Sequence, residues 1–270
     1  EKFIAKWMPR SPMVTPSLFC HSPYTCATET LRLVKRVAGE AGVPFMMHLS
    51  ETQEEVEIIR SRHGLRPVRY LESIGILGGR TALVHCVWLD ADEIDRLAGS
   101  GAGVCHCPES NMKLASGVAP VSELIRRGVA VGLGTDGCAS NNDLDMLLET
   151  DTMAKLHKVS TMSPTAMDAV TALRIATIGG ARVLGLHDRI GSVEPGKCAD
   201  LVVIDMRKPH LTPLYNPYSQ IVYACRGSDV RDVIIDGIIV MRDRRLLTLD
   251  VQRAMDDVRE IAERVKKDRR

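Results

Sequence analysis

Five short apolar runs, each followed closely by a histidine or an aspartate, constrain the fold of this chain most strongly. The runs and their polar residues are 15–20 with His21, 43–47 with His48, 81–84 with His85, 103–105 with His106, and 129–133 with Asp136. Segments with helical periodicity lie between the runs. Repeated units of a strand followed by a helix predict parallel strands that are joined by right-handed crossovers.

The intervening helices are predicted from periodicity and from their end signals. The segment 28–42 ends at Gly42, a usual stop for a helix. Ser163 and Pro164 form an N-cap and N1 pair, which predicts a helix from there to about Leu186. The other predicted helices begin at about Thr52 or cover 91–100, 121–127 and 143–158.

Parallel strands leave two architectures, an open doubly wound sheet and a (β/α)8 barrel. A barrel gathers the carboxyl ends of many strands around one axis, whereas an open sheet binds ligands at one switch point. Five successive strands that each end near a potentially catalytic side chain therefore favour the barrel. Only five units can be counted and a closed barrel has eight strands, so we predict an incomplete α/β barrel.

The pattern changes after Leu186. The segments 191–205 and 229–247 are rich in β-branched residues and bounded by turns, and Asp236-Gly237 is a hairpin signal. The last twenty residues have the charge pattern of a terminal helix. We predict a partial barrel over 1–187, part of a small β-sandwich domain over 188–250, and a C-terminal helix over 251–270.

Composition excludes several classes of protein. The net charge of +1 argues against a nucleic-acid or membrane-surface binder, and no apolar stretch approaches the roughly 20 residues of a bilayer span. Eight cysteines without a Cys-x-x-Cys pair favour the reducing cytosol. The first residues, EKFIAKWMPR, lack signal-peptide anatomy and do not start with Met, so we expect a chain that is entered partway through.

The polar residues at the strand ends are of the types that hold zinc. Neutral imidazole and carboxylate are ordinary Zn²⁺ ligands, and a catalytic site keeps one position for water, whose pKa falls from about 15.7 to about 7. Glu51, three positions after His48, is placed to shuttle protons. Spacing alone leaves a metal hydrolase and chance placement as open alternatives. A lone histidine is usually a structural residue, and we interpret four of the eight in that way: His63, His157, His187 and His210.

Other motifs provide less evidence about function. In a strand, Cys105 and Cys107 share one face while His106 points to the other, so we interpret the cysteines as packing residues. The deaminase signature H-x-E with P-C-x-x-C, the phosphate-binding glycine loops and the G-x-S-x-G elbow are absent from the sequence.

Longer motifs resemble the amidohydrolase superfamily. They are HSPYT (21–25), HLSET (48–52), HC (85–86), HCPESNMKLASG (106–117), GTDGCASNNDLDM (134–146), IGSVEPGKCADLVVID (190–205) and PHLTPLYNP (209–217). The resemblance covers nearly the whole chain and is strongest to the branch of 5-methylthioadenosine/S-adenosylhomocysteine deaminases. It implies a metal-dependent-hydrolase (β/α)8 barrel, of which about strands 4–8 are here, and a β-sandwich built from both chain ends.

The resemblance also implies one divalent metal, usually Zn²⁺, with Fe²⁺ or Mn²⁺ as alternatives. His48, from the fifth barrel strand, would be a metal ligand. Asp136, from the eighth, would bind the metal and take a proton from the water. Glu51 would protonate a purine ring nitrogen and pass a proton to departing ammonia. His85, on the sixth strand, would orient the attacking hydroxide.

The remaining implied roles concern the substrate and the scaffold. His21 would touch the ribose or the base edge of a nucleoside. Ser110 and Asn111, after the seventh strand, would be walls of the pocket, together with the substrate-facing sides of Glu51 and Asp136. His106 would support the structure.

One departure from the family pattern stands out. Two further metal ligands form a His-x-His pair in the family, and no His-x-His occurs in this sequence. We therefore expect that the N-terminal part of the family fold lies outside this chain. We also expect weak metal binding and little activity from the chain alone.

The expected reaction is hydrolytic deamination of adenosine-type thioether nucleosides to inosine analogues and ammonia. Alternatives are a guanine or cytosine deaminase, a triazine chlorohydrolase, and a non-catalytic truncated remnant; a generic nucleotide-binding domain is disfavoured by the missing phosphate loop. Glu51 favours deamination because ammonia needs a proton to leave. We expect a small-molecule substrate, no nucleic-acid or membrane partner, a homo-oligomer and a cytosolic location.

Overall fold

The computed structural model describes residues 2–8, 10–11 and 13–268, and this part of the chain forms two β-sheets. The first sheet has five parallel strands in the order β1-β2-β3-β4-β5, which is also their order along the chain. Its strands are β1 (Leu18–Phe19), β2 (Phe45–Leu49), β3 (Thr81–His85), β4 (Gly103–His106) and β5 (Val131–Leu133).

The second sheet is antiparallel, in the order β6-β7-β8-β9. Its strands are β6 (Leu201–Ile204), β7 (Val230–Ile235), β8 (Ile238–Arg242) and β9 (Arg245–Leu246). Asp236 and Gly237 join β7 to β8 with φ of 49° and 78°. Two successive positive φ values are what a tight hairpin turn requires, so the hairpin predicted at this dipeptide is confirmed.

Helices separate the parallel strands and continue after the last of them. They are α1 (Lys2–Trp7), α2 (Thr28–Ala41), α3 (Gln53–His63), α4 (Pro67–Ser73), α5 (Ala91–Ser100), α6 (Pro108–Lys113), α7 (Val121–Arg126), α8 (Met146–Thr161), α9 (Ala169–Arg174), α10 (Gly180–Val183), α11 (Pro217–Tyr223) and α12 (Val251–Asp268). One π-helical turn (Ile175–Gly179) connects α9 to α10. No helix in the described ranges has both the length and the apolar character that crossing a membrane requires.

The strand register assigns each side chain to one of two faces. His48 is paired with Val84, Val84 with Cys105, and Cys105 with Gly132. Because parallel partners point to the same side, these four residues form one row, which we call the inner face. The alternate residues of β2, such as Met47, are fully buried on the outer face, where the helices pack.

A helix also reaches the inner face, near the amino ends of β4 and β5. A Cβ atom added at Gly103 would lie 2.9 Å from a methyl carbon of Val183, and one at Gly132 would lie 2.7 Å from the Cα of Gly180. Both glycines are therefore needed for the close approach of α10 to the sheet. This helix occupies the edge of the sheet opposite to the strand ends that carry the polar residues.

Four strand and helix predictions need correction. The predicted strand 15–20 pairs only over Leu18–Phe19. The run 43–47 forms a strand over Phe45–Leu49, so that His48 lies inside the strand and not after it. The predicted helix 143–158 begins at Met146, because the Asp145 side chain accepts hydrogen bonds from the backbone N–H groups of residues 147 and 148.

The helix predicted from Ser163 was wrong in its start. The helix begins at Ala169, after Asp168, whose carboxylate accepts hydrogen bonds from the N–H groups of residues 170 and 171. The carbonyls of Ala166 and Met167 accept hydrogen bonds from the Lys158 ammonium instead of from a helical turn. Asp168 therefore caps the helix, and the Ser163-Pro164 pair does not.

The close contact at Gly132 generates a stability prediction. We expect Gly132→Ala to lower the free energy of unfolding by about 1–3 kcal/mol, because its methyl group would overlap Gly180. Gly99→Ala is the matched control: Gly99 lies in α5, has nothing near its Cβ position, and should gain about 0.5–1 kcal/mol. Urea unfolding measures both. Equal effects of the two substitutions would contradict the close packing of α10.

Candidate active site at the carboxyl ends of the parallel strands

His48 is the central residue of the site, on the inner face of β2. Its Nδ1–H donates to the carbonyl oxygen of His21 at 2.9 Å, so its Nε2 is left with a free lone pair. The Phe19 ring and the His48 imidazole pack in a T-shaped arrangement, with 4.9 Å between the ring centroids. Burial, followed by the proximity of His85, lowers the pKa of His48 below its ordinary value. The ring is therefore neutral at pH 7, as a metal ligand must be.

His85 reaches the same site through an unusual backbone conformation. It is paired with Leu49, and strand alternation alone would turn it to the outer face. However, φ at His85 is 74°, in the left-handed region that non-glycine residues seldom adopt. The imidazole consequently stacks on His48 with 5.3 Å between ring centroids, and its Nε2 lies 3.6 Å from Glu51 Oε2.

The segment that follows β4 holds His85 and Glu51 in place. The Nδ1–H of His85 donates to Asn111 Oδ1 at 2.9 Å, and the Ser116 hydroxyl donates to Glu51 Oε1 at 3.2 Å. Asn111 is fully buried, yet its Nδ2 has no hydrogen-bond partner among the described residues. A buried amide of this kind is free to donate to a ligand.

Asp136 follows β5 and also has left-handed backbone, with φ of 58°. Its Oδ2 accepts hydrogen bonds from Ser110 at 2.8 Å and Ser140 at 2.6 Å, and its Oδ1 accepts one from the Gly137 N–H at 2.8 Å. Burial acts to raise the pKa of this carboxyl, but the three donors outweigh it and hold the pKa below the ordinary value. Asp136 is thus ionised at neutral pH.

His21 lies at the rim of the site. Its ring is exposed to solvent, 5.1 Å from the His48 ring, and its Nδ1 is 2.9 Å from the Thr25 hydroxyl. The structure therefore brings together a set of seven of the residues that the sequence singled out. They are His21, His48, Glu51, His85, Ser110, Asn111 and Asp136.

His106 is the strand-end residue that does not join them. It is paired with Leu133 on the outer face, and its Nε2 lies 3.2 Å from His157 Nε2 on α8. Both rings are buried, and burial lowers the pKa of His106 well below its ordinary value and that of His157 to about 4. One neutral imidazole donates to the other, which gives His106 a structural contact.

The other three histidines have partners away from the site: His63 stacks on Tyr70, His187 lies near Asp188, and His210 contacts Asp229.

Three residues that support the site were not predicted from the sequence: Ser116, which donates to Glu51, Ser140, which donates to Asp136, and Glu149. Glu149, on α8, is fully buried and accepts hydrogen bonds from Asn141 at 2.8 Å and from the backbone N–H of Glu109 at 3.3 Å. It thereby joins the loop that carries Asp136 to the start of α6. Burial, followed by the charge of Glu109, raises the pKa of Glu149 to about 8. Only tertiary contacts reveal this role.

The donor atoms fit one side of a metal site. His48 offers a neutral imidazole nitrogen and Asp136 an ionised carboxylate, and the charge of Asp136 contributes, after burial and three larger influences, to the pKa of His48. These are ordinary ligands of a divalent cation. Within the described part of the chain, no group of three or more His, Cys, Asp or Glu side chains is arranged to hold a metal ion.

Comparison with known sequences identifies the family. Residues 1–240 match the sequence profile of the amidohydrolase family. The chain belongs to the amidohydrolase family. This membership confirms the resemblance noted from the motifs. It also confirms the predicted fold class, in which a parallel sheet consistent with part of a barrel is accompanied by an antiparallel sheet.

The similar amidohydrolases include named deaminases. A 5-methylthioadenosine/S-adenosylhomocysteine deaminase of Syntrophobacter fumaroxidans is 53% identical over 98% of this chain and 60% of its own length. A 5'-deoxyadenosine deaminase of Methanopyrus kandleri is 47% identical over 92% of this chain and 58% of its own. The chain thus spans about 60% of the length of these relatives.

A solved deaminase structure is also similar to this chain. The crystal structure of an adenosine deaminase from Xanthomonas campestris with bound zinc superposes with a TM-score of 0.95 at 39% identity. The match covers 98% of this chain and 60% of that one.

The buried histidine pair generates a pH prediction. A pKa lowered from 6.5 to about 4 means that His157 destabilises the fold progressively as the pH falls from 6.5 to about 4. We expect His157→Gln to reduce that acid loss by about 2–3 kcal/mol, as measured by urea unfolding at pH 7 and pH 4.5. Glu149, with its raised pKa, acts in the opposite direction, and the comparison between variant and parent removes its contribution.

The matched control is His187→Gln, since His187 is exposed on the surface. This control should leave the pH dependence of stability unchanged. An acid loss that is as large in His157→Gln as in the parent would contradict the buried neutral pair.

Proposed function

We propose that this chain supplies the proton-transfer residues and two of the metal ligands of an enzyme that deaminates adenosine-type nucleosides hydrolytically. The observation that carries the proposal is the convergence of His48, Glu51, His85 and Asp136, from the carboxyl ends of the three strands β2, β3 and β5, on one site. The products would be the inosine analogue and ammonia. The deaminases among the similar proteins support the reaction class.

We propose that His48 Nε2 and the Asp136 carboxylate hold a divalent cation, with Zn²⁺ as the first candidate because a similar solved structure contains it. When bound, such a cation lowers the pKa of a coordinated water so that hydroxide is available at neutral pH. The chain's own part in this step is electrostatic. Hydrogen bonds from Ser110, Ser140 and the Gly137 N–H keep Asp136 ionised and in a fixed orientation, ready to accept a proton from water.

Glu51 is proposed as the proton donor to the purine. One of its oxygens is held by the Ser116 hydroxyl, and the other lies 3.6 Å from His85 Nε2. From this position it would protonate a ring nitrogen, which makes the ring carbon electrophilic. The resulting carboxylate would then take up a proton released by the attacking water and pass it to the departing amine. Asn111 fixes the other nitrogen of His85, so that Nε2 faces the reacting centre.

The proposed substrates are 5'-methylthioadenosine and S-adenosylhomocysteine. The names of the similar deaminases support an adenosine core with a variable 5' substituent. His21 at the rim would contact the ribose or the base edge, while Ser110 and Asn111 would line the pocket. A guanine or cytosine deaminase and a chlorohydrolase receive less support from the sequence identities. The alternative of a non-catalytic remnant is favoured only by the number of proposed metal ligands, which is two and not the three or four of a catalytic zinc site.

We also propose a cytosolic protein with three parts at 1–187, 188–250 and 251–270. Free thiols at all eight cysteines support the reducing compartment, and the separate parallel and antiparallel sheets support the division into parts. The homo-oligomer stays a prediction.

The test of the proposed reaction uses a longer chain. This sequence is joined to the segment of the S. fumaroxidans relative that lies outside the match, and loss of 5'-methylthioadenosine is followed by the release of ammonia. We expect activity, and we expect Glu51→Gln and Asp136→Asn each to lower kcat/KM by about 10²–10⁴-fold. Glu54→Gln, three residues from Glu51 on an exposed position, should have no effect. Full activity of Glu51→Gln would rule out the proposed proton donor.

The isolated chain should bind zinc weakly. Two protein ligands are fewer than the three or four of a catalytic zinc site, so titration should not reach tight one-to-one binding. We expect His48→Ala to weaken the residual binding further, and His63→Ala, which alters a ring stacked on Tyr70, to leave it unchanged. Tight stoichiometric zinc in the parent chain would refute the two-ligand site.

A further inference from the structure

Cys105 and Cys107 lie on the inner face, next to the segment that leads from β5 to Asp136. Cys105 is paired with Gly132 and belongs to the same row of side chains as His48. Cys107 follows two positions later, just after the end of β4, and Asp136 comes two residues after Gly134 on the neighbouring segment. Neither thiol has a role in the proposed deamination, although the charge of Asp136 acts on both.

Both sulfur atoms pack over the same glycine. A Cβ atom placed on Gly134 would lie 2.9 Å from Cys105 Sγ and 3.6 Å from Cys107 Sγ. Gly134 is held against β4 by the hydrogen bond from its N–H to the carbonyl of His106 at 2.9 Å. Because this position has no side chain, the two sulfurs share one space. Cys105 is partly exposed, and Cys107 is buried.

The two thiols are also unequal in acidity. The hydrogen bond between them lowers the pKa of Cys105 and raises that of Cys107 well above its ordinary value. A thiolate is the reactive form of cysteine, so the partly exposed Cys105 is the better nucleophile. Cys86, by contrast, is fully buried, and its pKa is raised by that burial.

We propose that Cys105 and Cys107 form an oxidative modification site, which a hydroperoxide converts into an intrachain disulfide. Cys105 attacks the peroxide oxygen, the O–O bond breaks, and one water leaves while Cys105 becomes a sulfenic acid. The Cys107 sulfur then attacks the Cys105 sulfur, and the sulfenic oxygen leaves as a second water. Two thiols and one hydrogen peroxide thus give one disulfide and two waters.

The modification site is connected to the candidate active site. Cys107 immediately precedes α6, and its carbonyl accepts a hydrogen bond from the Asn111 N–H at 3.0 Å. The same helix carries Ser110, which holds Asp136, and Asn111, which holds His85. A disulfide changes the torsion angles on both sides of His106, so oxidation would shift the start of α6 together with those two contacts.

The test treats the chain with hydrogen peroxide, alkylates the remaining thiols with iodoacetamide and digests with trypsin. Residues 97–113 form one tryptic peptide that contains both cysteines. We expect this peptide to lose two hydrogen atoms and to lose both alkylation sites, and dithiothreitol to restore them. Oxidation of Met112 adds one oxygen and is distinguished by mass. Two alkylatable thiols, or oxygen addition to Cys105 without the loss of hydrogen, would overturn the proposal.

Single variants identify the order of the two steps. Cys107→Ser should stop at an oxygen adduct on Cys105, and Cys105→Ser should leave Cys107 alkylatable at the same peroxide dose. Cys138→Ser is the matched control, since Cys138 is an exposed cysteine outside the pair, and this variant should form the disulfide as the parent does. Rapid oxidation of Cys107 in Cys105→Ser would contradict the assignment of Cys105 as the attacking thiol.

Discussion

The parallel register of β1 to β5 is the constraint on which the candidate site depends. Parallel strands deliver all their carboxyl ends to one edge of the sheet, and the pairing of His48 with Val84, Cys105 and Gly132 fixes which side chains share a face. A shift by one residue would exchange the inner and outer faces. The position of His48 relative to the loop that carries Asp136 is therefore a property of the whole sheet.

Backbone strain orients site residues that the strand register alone would not direct into the site. His85 and Asp136 both have positive φ, at a cost of order 1–3 kcal/mol each. The strain turns His85 from the outer face to the site. Hydrogen bonds with the segment that follows β4 hold both residues in place: His85 donates to Asn111 Oδ1, and Asp136 accepts from the Ser110 hydroxyl. The strained residues and their supports thus behave as one unit.

The sequence was sufficient for the parts of the fold that depend on local pattern. The runs that end near His48, His85, His106 and Asp136 form strands that overlap the predicted ones, because their short length and the turn signals that flank them fit buried strands better than helices. The helix start at Ser163 was wrong because two possible caps lay close together, and the choice between them depends on where Lys158 donates its hydrogen bonds.

The site was predictable in its members but not in its geometry. Alternation excludes His106 and would also have excluded His85, whose left-handed conformation is not encoded in any local motif. Ser116 and Glu149 act through contacts 65 and 40 residues away, with Glu51 and Glu109. Such contacts exist only once the strands are assembled, so a single sequence does not reveal them.

Anomalous X-ray diffraction from crystals of this chain soaked in concentrated zinc would show whether His48 and Asp136 hold the same cation. We predict an anomalous peak about 2.0–2.2 Å from both His48 Nε2 and an Asp136 carboxylate oxygen, with His85 close by but outside the coordination sphere. A peak bound to only one of these two side chains, or a density map in which they point into separate clefts, would contradict it.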